Sequence, residues 1–170
     1  VAIATLVVPT IAHGATIRVT SAKRPLLGNL AWESGSTRSY VNDAGAAVLL
    51  PADTMLGQLV AATAFTRTRL VVSEFEGIGP YVKTIGRQRI GAKGAWDVYV
   101  NGRTPTLGAG VLVLTKHDDV IWFLDDDYSR VGPAILDLDY RVAEDGAVTF
   151  TVRTSSGTGW TPAKGARIRV

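Results

Sequence analysis

Apolar and polar residues alternate with a period of two along most of this chain, in short segments separated by turn residues. Clear examples are residues 16–20, 81–85 and 96–100. Because successive side chains of a strand point to opposite faces, this pattern predicts half-buried β-strands. One stretch, residues 53–63, has helical spacing instead. We therefore expect an α+β fold that is mainly β.

Turn residues between alternating segments predict hairpins that pair residues 16–20 with 26–32, 39–41 with 47–50, and 69–75 with 81–85. The dipeptide Asn101-Gly102 follows the segment 96–100 and predicts a type I′ turn, in which both central residues need a positive φ. An apolar stretch, 111–114, comes next. The continuous apolar run at 120–124 is typical of a central strand.

The predicted helix follows Pro51, and Asp53 is the expected N-cap. Its apolar stripe is formed by Leu56, Leu59, Val60 and Thr63, at positions i, i+3, i+4 and i+7. A single amphipathic helix in a strand-rich chain most simply packs across one face of a sheet. We expect it to cover apolar side chains that the sheet would otherwise expose.

The two ends of the chain differ in character from its middle. Residues 1–15 carry no charge and end in small residues, including Ala12 and Gly14, which is typical of a truncated signal peptide. This run is too short for a membrane span, which needs about 20 residues. At the other end, residues 166–170 alternate as a strand with no turn after them, so we expect a fragment of a longer protein.

A polar, aspartate-rich segment near residue 127 is the predicted domain boundary. It separates a first domain, residues 16–126, from residues 133–170, with residues 127–132 as the linker. Beyond it, residues 135–142, 147–153 and 166–170 alternate as strands, with the spacing of the first strands of a β-sandwich.

Composition excludes several classes of site. The 170 residues include no cysteine and two histidines, His13 and His117. Disulfide scaffolds, thiolate zinc sites and cysteine nucleophiles are therefore excluded. No Gly-x-Ser-x-Gly elbow occurs, and His117 stands beside two aspartates in a predicted surface turn. We expect a protein that is not an enzyme.

Charge is unevenly distributed although the net charge is only +3. Residues 67–93 hold six basic and two acidic residues, and residues 118–127 hold five aspartates and no base. With few aromatics interleaved, the basic stretch predicts a solvated face and no nucleic-acid partner. Residues 125–127, with Asp137 and Asp139, could offer oxygen ligands to calcium, but they match no EF-hand loop, and we expect no metal site.

Four segments carry a resemblance to a known family: residues 52–59, 77–86, 94–102 and 119–122. In this order and spacing, the chain resembles the transcobalamin-like C-terminal domain family, also called domain of unknown function 4430, over about residues 15–126. Where the family usually has Asp-Gly-Asp before its last strand, this chain has Lys116-His117-Asp118-Asp119.

The resemblance implies a small β-grasp-like sheet crossed by one helix, in a secreted or surface-anchored bacterial protein. Animal relatives that carry cobalamin use this domain to cover the corrin, so the resemblance also implies cobalamin as a candidate ligand. No other cofactor is expected. Residues 133–170 resemble the start of a bacterial immunoglobulin-like module of the kind found along cell-surface proteins.

Six residues are the candidate ligand contacts: Gly77, Gly79, Tyr81, Trp96, Tyr99 and Asn101. The glycines resemble a dinucleotide fingerprint, but the third glycine is missing and a strand pattern follows, so a tight loop is the better interpretation. Alternation places Trp96 and Tyr99 on opposite faces of one strand. Each aromatic could stack on a flat ligand or simply build the core.

We therefore expect a secreted or cell-surface module without enzymatic activity, used for structural presentation or adhesion. The alternative is binding of an extracellular small molecule such as a corrin. A binder should have an apolar concave surface near residues 77–81 and the Asn101-Gly102 hairpin, whereas a spacer should bury its aromatics and have no pocket.

Overall fold

The computed structural model describes residues 14–21, 25–33, 37–127 and 134–166. The predicted signal peptide lies outside these ranges except for Gly14 and Ala15, which belong to the first strand. The predicted linker lies outside them except for residue 127. The predicted strand 166–170 also lies outside the described ranges except for Ala166, which is not in a strand.

A four-stranded mixed sheet forms the centre of the fold. Its strands are β1 (Gly14–Ser21), β2 (Pro25–Glu33), β8 (Ala95–Val100) and β9 (Asp119–Asp125), in the order β2-β1-β9-β8. β1 and β9 are parallel neighbours, and each pairs on its outer side with an antiparallel strand. The predicted central position of the apolar run is confirmed, because β9 has a neighbour on both sides and is buried on both faces.

The helix α1 (Met55–Phe65) packs against this sheet. The predicted stripe is buried, as is every helix residue from Met55 to Thr63. The predicted N-cap was wrong by one residue, because Thr54 caps the helix: its Oγ1 accepts a hydrogen bond from the Gly57 N–H at 3.1 Å. The carbonyl of Asp53 instead accepts from the Leu114 N–H at 2.8 Å.

Five further strands complete the first part of the chain. β3 (Thr37–Val41) and β4 (Ala47–Pro51) form a hairpin. β5 (Leu70–Phe75), β6 (Gly79–Ile85) and β7 (Gln88–Arg89) form an antiparallel sheet. Val72, Val82 and Ile85 of this sheet join the same apolar core as the helix.

The C-terminal sheet packs on the opposite face of the central sheet. It contains β10 (Ile135–Val142), β11 (Val148–Ser155) and β12 (Thr161–Pro162). Strand alternation along β9 turns Val120, Trp122 and Leu124 toward the helix. It turns Ile121 and Phe123 toward Ile135 and Trp160, on the side of the C-terminal sheet. The two faces of β9 therefore belong to two separate apolar clusters.

The observed class is α+β and mainly β, with one helix among the described residues, as predicted. The parallel central pair, flanked by antiparallel strands and crossed by one helix, has the expected β-grasp-like arrangement. Within the described ranges, no helix combines the length and apolarity needed to cross a membrane.

Candidate functional site

An apolar cleft of about 380 Å³ opens on the helix side of the central sheet. One wall comes from β6, at Pro80 and Tyr81, and the other from β8, at Trp96 and Val98. The loop after β8 contributes further apolar side chains, and Met55 of the helix and Trp122 of β9 complete the lining. The cleft therefore lies where the central sheet, the helix and the β5–β6–β7 sheet meet.

Two tryptophans reach this cleft because of strand register. β8 and β9 are antiparallel, with Val98 opposite Trp122 and Trp96 opposite Leu124, so the two indoles are diagonal neighbours on one face. Trp96 is 8% exposed and Trp122 is 2% exposed. Neither indole N–H has a hydrogen-bond partner among the residues that the structure describes. An unpaired buried donor costs about 1–3 kcal/mol. Both indole nitrogens are covered by neighbouring atoms, so a ligand acceptor would reach them only after small side-chain movements at the cleft.

The loop that borders the cleft is held by the start of the helix. The carbonyls of Ala109 and Leu112 accept hydrogen bonds from the Leu56 and Met55 amides at 2.8 Å and 3.1 Å. These amides belong to the first turn of the helix and have no intrahelical partner. This role explains why the apolar stretch 111–114 forms no strand with β8.

The same loop closely approaches β6. A Cβ atom at Gly110 would lie 2.9 Å from Cγ of Pro80, so a side chain at this position would force the loop away from β6. Pro105, Leu107 and Ala109 of the loop line the cleft. These residues were not predicted from the sequence, because an irregular loop has no periodicity that would indicate which side chains face a cavity.

Two of the six predicted contacts, Tyr81 and Trp96, line the cleft together. Gly77 and Gly79 do not line it, but Gly77 lies in the turn before β6 and Gly79 is the first residue of β6, next to Pro80. Both have positive φ values, 79° and 92°, which explains the glycines at both positions. The two glycines therefore act on the site indirectly, because they allow the backbone conformation that positions Pro80 and Tyr81.

The other two predicted contacts lie elsewhere. Tyr99 is buried on the opposite face of the sheet, against the C-terminal sheet. Asn101 forms the predicted turn: its φ is 53° and that of Gly102 is 74°, as type I′ geometry requires. Its side chain donates to Asp118 Oδ1 at 2.6 Å and accepts from the Asp119 amide at 2.9 Å. Asn101 therefore ties this turn to the start of β9.

Asp97 is the one acidic residue among the described residues that line the cleft, but strand alternation turns its carboxylate away from Trp96 and Val98, toward the face that holds Tyr99. Burial raises the pKa of Asp97, and the nearby charge of Asp125 raises it further. Burial also raises the pKa of the Tyr99 hydroxyl, with smaller contributions from the same two aspartates. Negative charge near this end of β8 is therefore electrostatically unfavourable.

The acidic residues considered as calcium ligands have other roles in the structure. Asp137 accepts hydrogen bonds from Arg18 Nη1 at 2.7 Å and from Arg153, and Asp125 Oδ1 accepts from the Asp127 amide at 2.9 Å. No group of three or more metal-ligating side chains is found in the described part of the chain.

A scan of the chain against protein-family models found no match, and a search of curated proteins found no significant relative.

Proposed function

We propose that this protein is a non-enzymatic, secreted or cell-surface module that binds a small, largely apolar ligand in the cleft beside Tyr81, Trp96 and Trp122. The observation that carries this proposal is the pair of buried indole N–H groups without partners in the lining of an apolar cavity. A ligand whose acceptor displaces the atoms that cover either nitrogen would satisfy a donor that the folded chain leaves unpaired.

The size of the cleft limits the ligand. A volume of about 380 Å³ is close to the lower end of the range for small-molecule sites, which is about 300–1,000 Å³. One or two fused rings would fit within it. A corrin is larger, so a cobalamin-like ligand would insert only an edge or a side chain. The transcobalamin-like resemblance therefore supports a ligand-binding role more strongly than it supports cobalamin itself.

The chemistry of the lining supports binding without catalysis. The described lining residues include no histidine, lysine or serine, and the single acidic residue, Asp97, turns its carboxylate to the other face of β8. The expectation of export depends on the signal-like composition of residues 1–15. An exported protein would present this cleft to extracellular solutes.

A matched pair of bicyclic probes tests this function. Quinoline carries a ring-nitrogen acceptor and naphthalene does not, although their shapes are nearly the same. Titrating each into ¹⁵N-labelled protein should shift backbone amides of residues 80–82 and 95–98, with quinoline binding more tightly. Absorbance titration with cyanocobalamin tests the corrin ligand in parallel.

Two tryptophan variants control the experiment. Trp96→Phe removes one unpaired donor from the cleft and should reduce the preference for quinoline over naphthalene. Trp160→Phe makes the same change on the opposite face and should leave that preference unchanged. If neither probe shifts the cleft amides, or if both variants behave alike, the proposed function is wrong.

A second candidate function is structural presentation or adhesion, and the contact between the two parts of the chain favours it. Ser155 Oγ donates to the Gly102 carbonyl, the Thr104 amide donates to the Gly157 carbonyl at 2.9 Å, and the indole of Trp160 packs on Gly102. Such a junction would hold successive modules in a fixed orientation. ¹⁵N relaxation should then give the same rotational correlation time for β8–β9 and β10–β11, and two different times would exclude a rigid spacer.

A further inference from the structure

A second and larger concave surface, of about 780 Å³, lies on the β5–β6–β7 sheet and contains five basic side chains. They come from three places in the sequence: Arg67 and Arg69 before β5, Lys83 on β6, and Arg87 and Arg89 in and after the β6–β7 turn. The sheet brings them together because β6 pairs with both β5 and β7. We call these five residues and the concave surface they line the basic groove.

Most of the positive charge in the basic groove has no partner. Lys83 forms an ion pair with Asp43 at 2.6 Å, and Asp43 is also bound by the hydroxyl of Ser73. No ion pair to a carboxylate is found for the four arginines among the described residues. The groove thus carries about four uncompensated charges around a floor that includes Val71 and Thr84.

Backbone geometry at Arg67 adds an independent observation. Arg67 follows the C-cap Thr66 and has a φ of 53°, the left-handed position at which helices usually place glycine. An arginine here accepts backbone strain of order 1 kcal/mol that glycine would avoid. Strain of this kind is often retained at functional positions, and here its result is a fifth cation in the lining of the groove.

We propose that the basic groove binds a flexible polyanion that carries closely spaced tetrahedral oxyanions, either phosphate or sulfate. Arginine pairs with such oxyanions through two parallel N–H···O bonds, and several arginines around one groove can bind adjacent groups on one chain. Among the described residues, the lining contains no aromatic side chain, so it offers no aromatic platform on which successive nucleic-acid bases could stack, and base stacking would be limited to the arginine side chains. This absence favours a polymer without bases over single-stranded DNA or RNA. The site is separate from the apolar cleft.

Calorimetric titration tests this proposal with three probes: sodium tripolyphosphate, a sulfated heparin hexasaccharide, and a ten-residue oligothymidylate. The first two should bind at low ionic strength, with affinity falling steeply as salt is added. The tighter of the two identifies phosphate or sulfate as the source of the oxyanions. Tighter binding of the oligothymidylate than of either polyanion would overturn the proposal.

Three variants separate charge from folding. Arg67→Gly removes one charge from the groove and suits the backbone, so it should fold at least as stably as the parent and bind about threefold more weakly. Arg87→Ala with Arg89→Ala should weaken binding by about tenfold or more. Arg141→Ala removes an equal charge from an exposed position on β10 and should have little effect. Equal effects of Arg67→Gly and Arg141→Ala, or no binding of either polyanion, would refute the basic groove as a site.

Discussion

Replacing Asp137 by asparagine tests how the C-terminal sheet is attached to the central sheet. The carboxylate accepts from Arg18 Nη1 on β1 at 2.7 Å, from Arg153 Nε on β11 at 3.2 Å, and from Arg153 Nη2. Arg18 also bridges to Asp119 at 2.8 Å, and Arg153 lies over the Trp160 ring at 5.2 Å. Asp137→Asn would turn an amide N–H₂ toward an arginine donor and leave both cations without their shared anion.

The size of the loss follows from burial. Removing one partner of a fully buried ion pair costs about 3–5 kcal/mol. Asp137 is 9% exposed at its side chain, but Arg18 is 21% and Arg153 is 39% exposed, so water can partly rehydrate both cations. We therefore expect a loss of about 2 kcal/mol in the free energy of unfolding. Urea unfolding at neutral pH and low salt, followed by tryptophan fluorescence, measures it.

The matched control is Asp139→Asn, two residues along the same strand at an exposed position. It should change the unfolding free energy by less than about 0.5 kcal/mol. If the two variants unfold at the same urea concentration, the ion-pair network does not hold the C-terminal sheet in place.

Two further substitutions test the core and the electrostatics of β8. Gly57→Ala should lower the free energy of unfolding by at least about 1 kcal/mol despite the better helix propensity of alanine, because the added Cβ would lie 2.3 Å from the Pro51 carbonyl oxygen. The control Gly91→Ala, at a position with open space around it, should leave the thermal unfolding nearly unchanged. The raised pKa of Asp97 means that the native state binds its proton more tightly than the unfolded state, so the stability that this group contributes falls as pH rises above the ordinary carboxyl pKa. Asp97→Asn should remove that fall and raise the melting temperature at neutral pH, and an unchanged pH profile would contradict this assignment.

Local patterns predicted much of this fold because they depend on neighbours in the sequence. Period-two alternation located most strands, the Asn101-Gly102 dipeptide identified a turn with two positive φ values, and the apolar run 120–124 identified the central strand. The N-cap was misplaced because a local motif offers two adjacent candidates, Asp53 and Thr54. Their different roles depend on the distant residue Leu114.

The candidate sites were harder to predict because they depend on contacts between distant segments. Tyr81 and Trp96 line one cleft only because β6 packs beside β8, whereas the sequence identifies them only as aromatics on separate strands. Tyr99 was nominated on the same grounds, yet strand alternation places it on the other face. The basic stretch was interpreted as a solvated face, since its spacing does not indicate that pairing around β6 gathers Arg67 and Arg89 into one groove.

The indole N–H signals of tryptophan-labelled protein, recorded before and after saturation with quinoline, test the ligand-binding cleft most directly. Four indole signals are expected from the four tryptophans of the chain, and Trp96 and Trp122 can be assigned with phenylalanine variants. If the cleft binds an acceptor, at least one of these two signals should move downfield while that of Trp160 stays in place. If the Trp96 and Trp122 signals are both unchanged at saturation, the cleft is not a ligand site of the kind we propose.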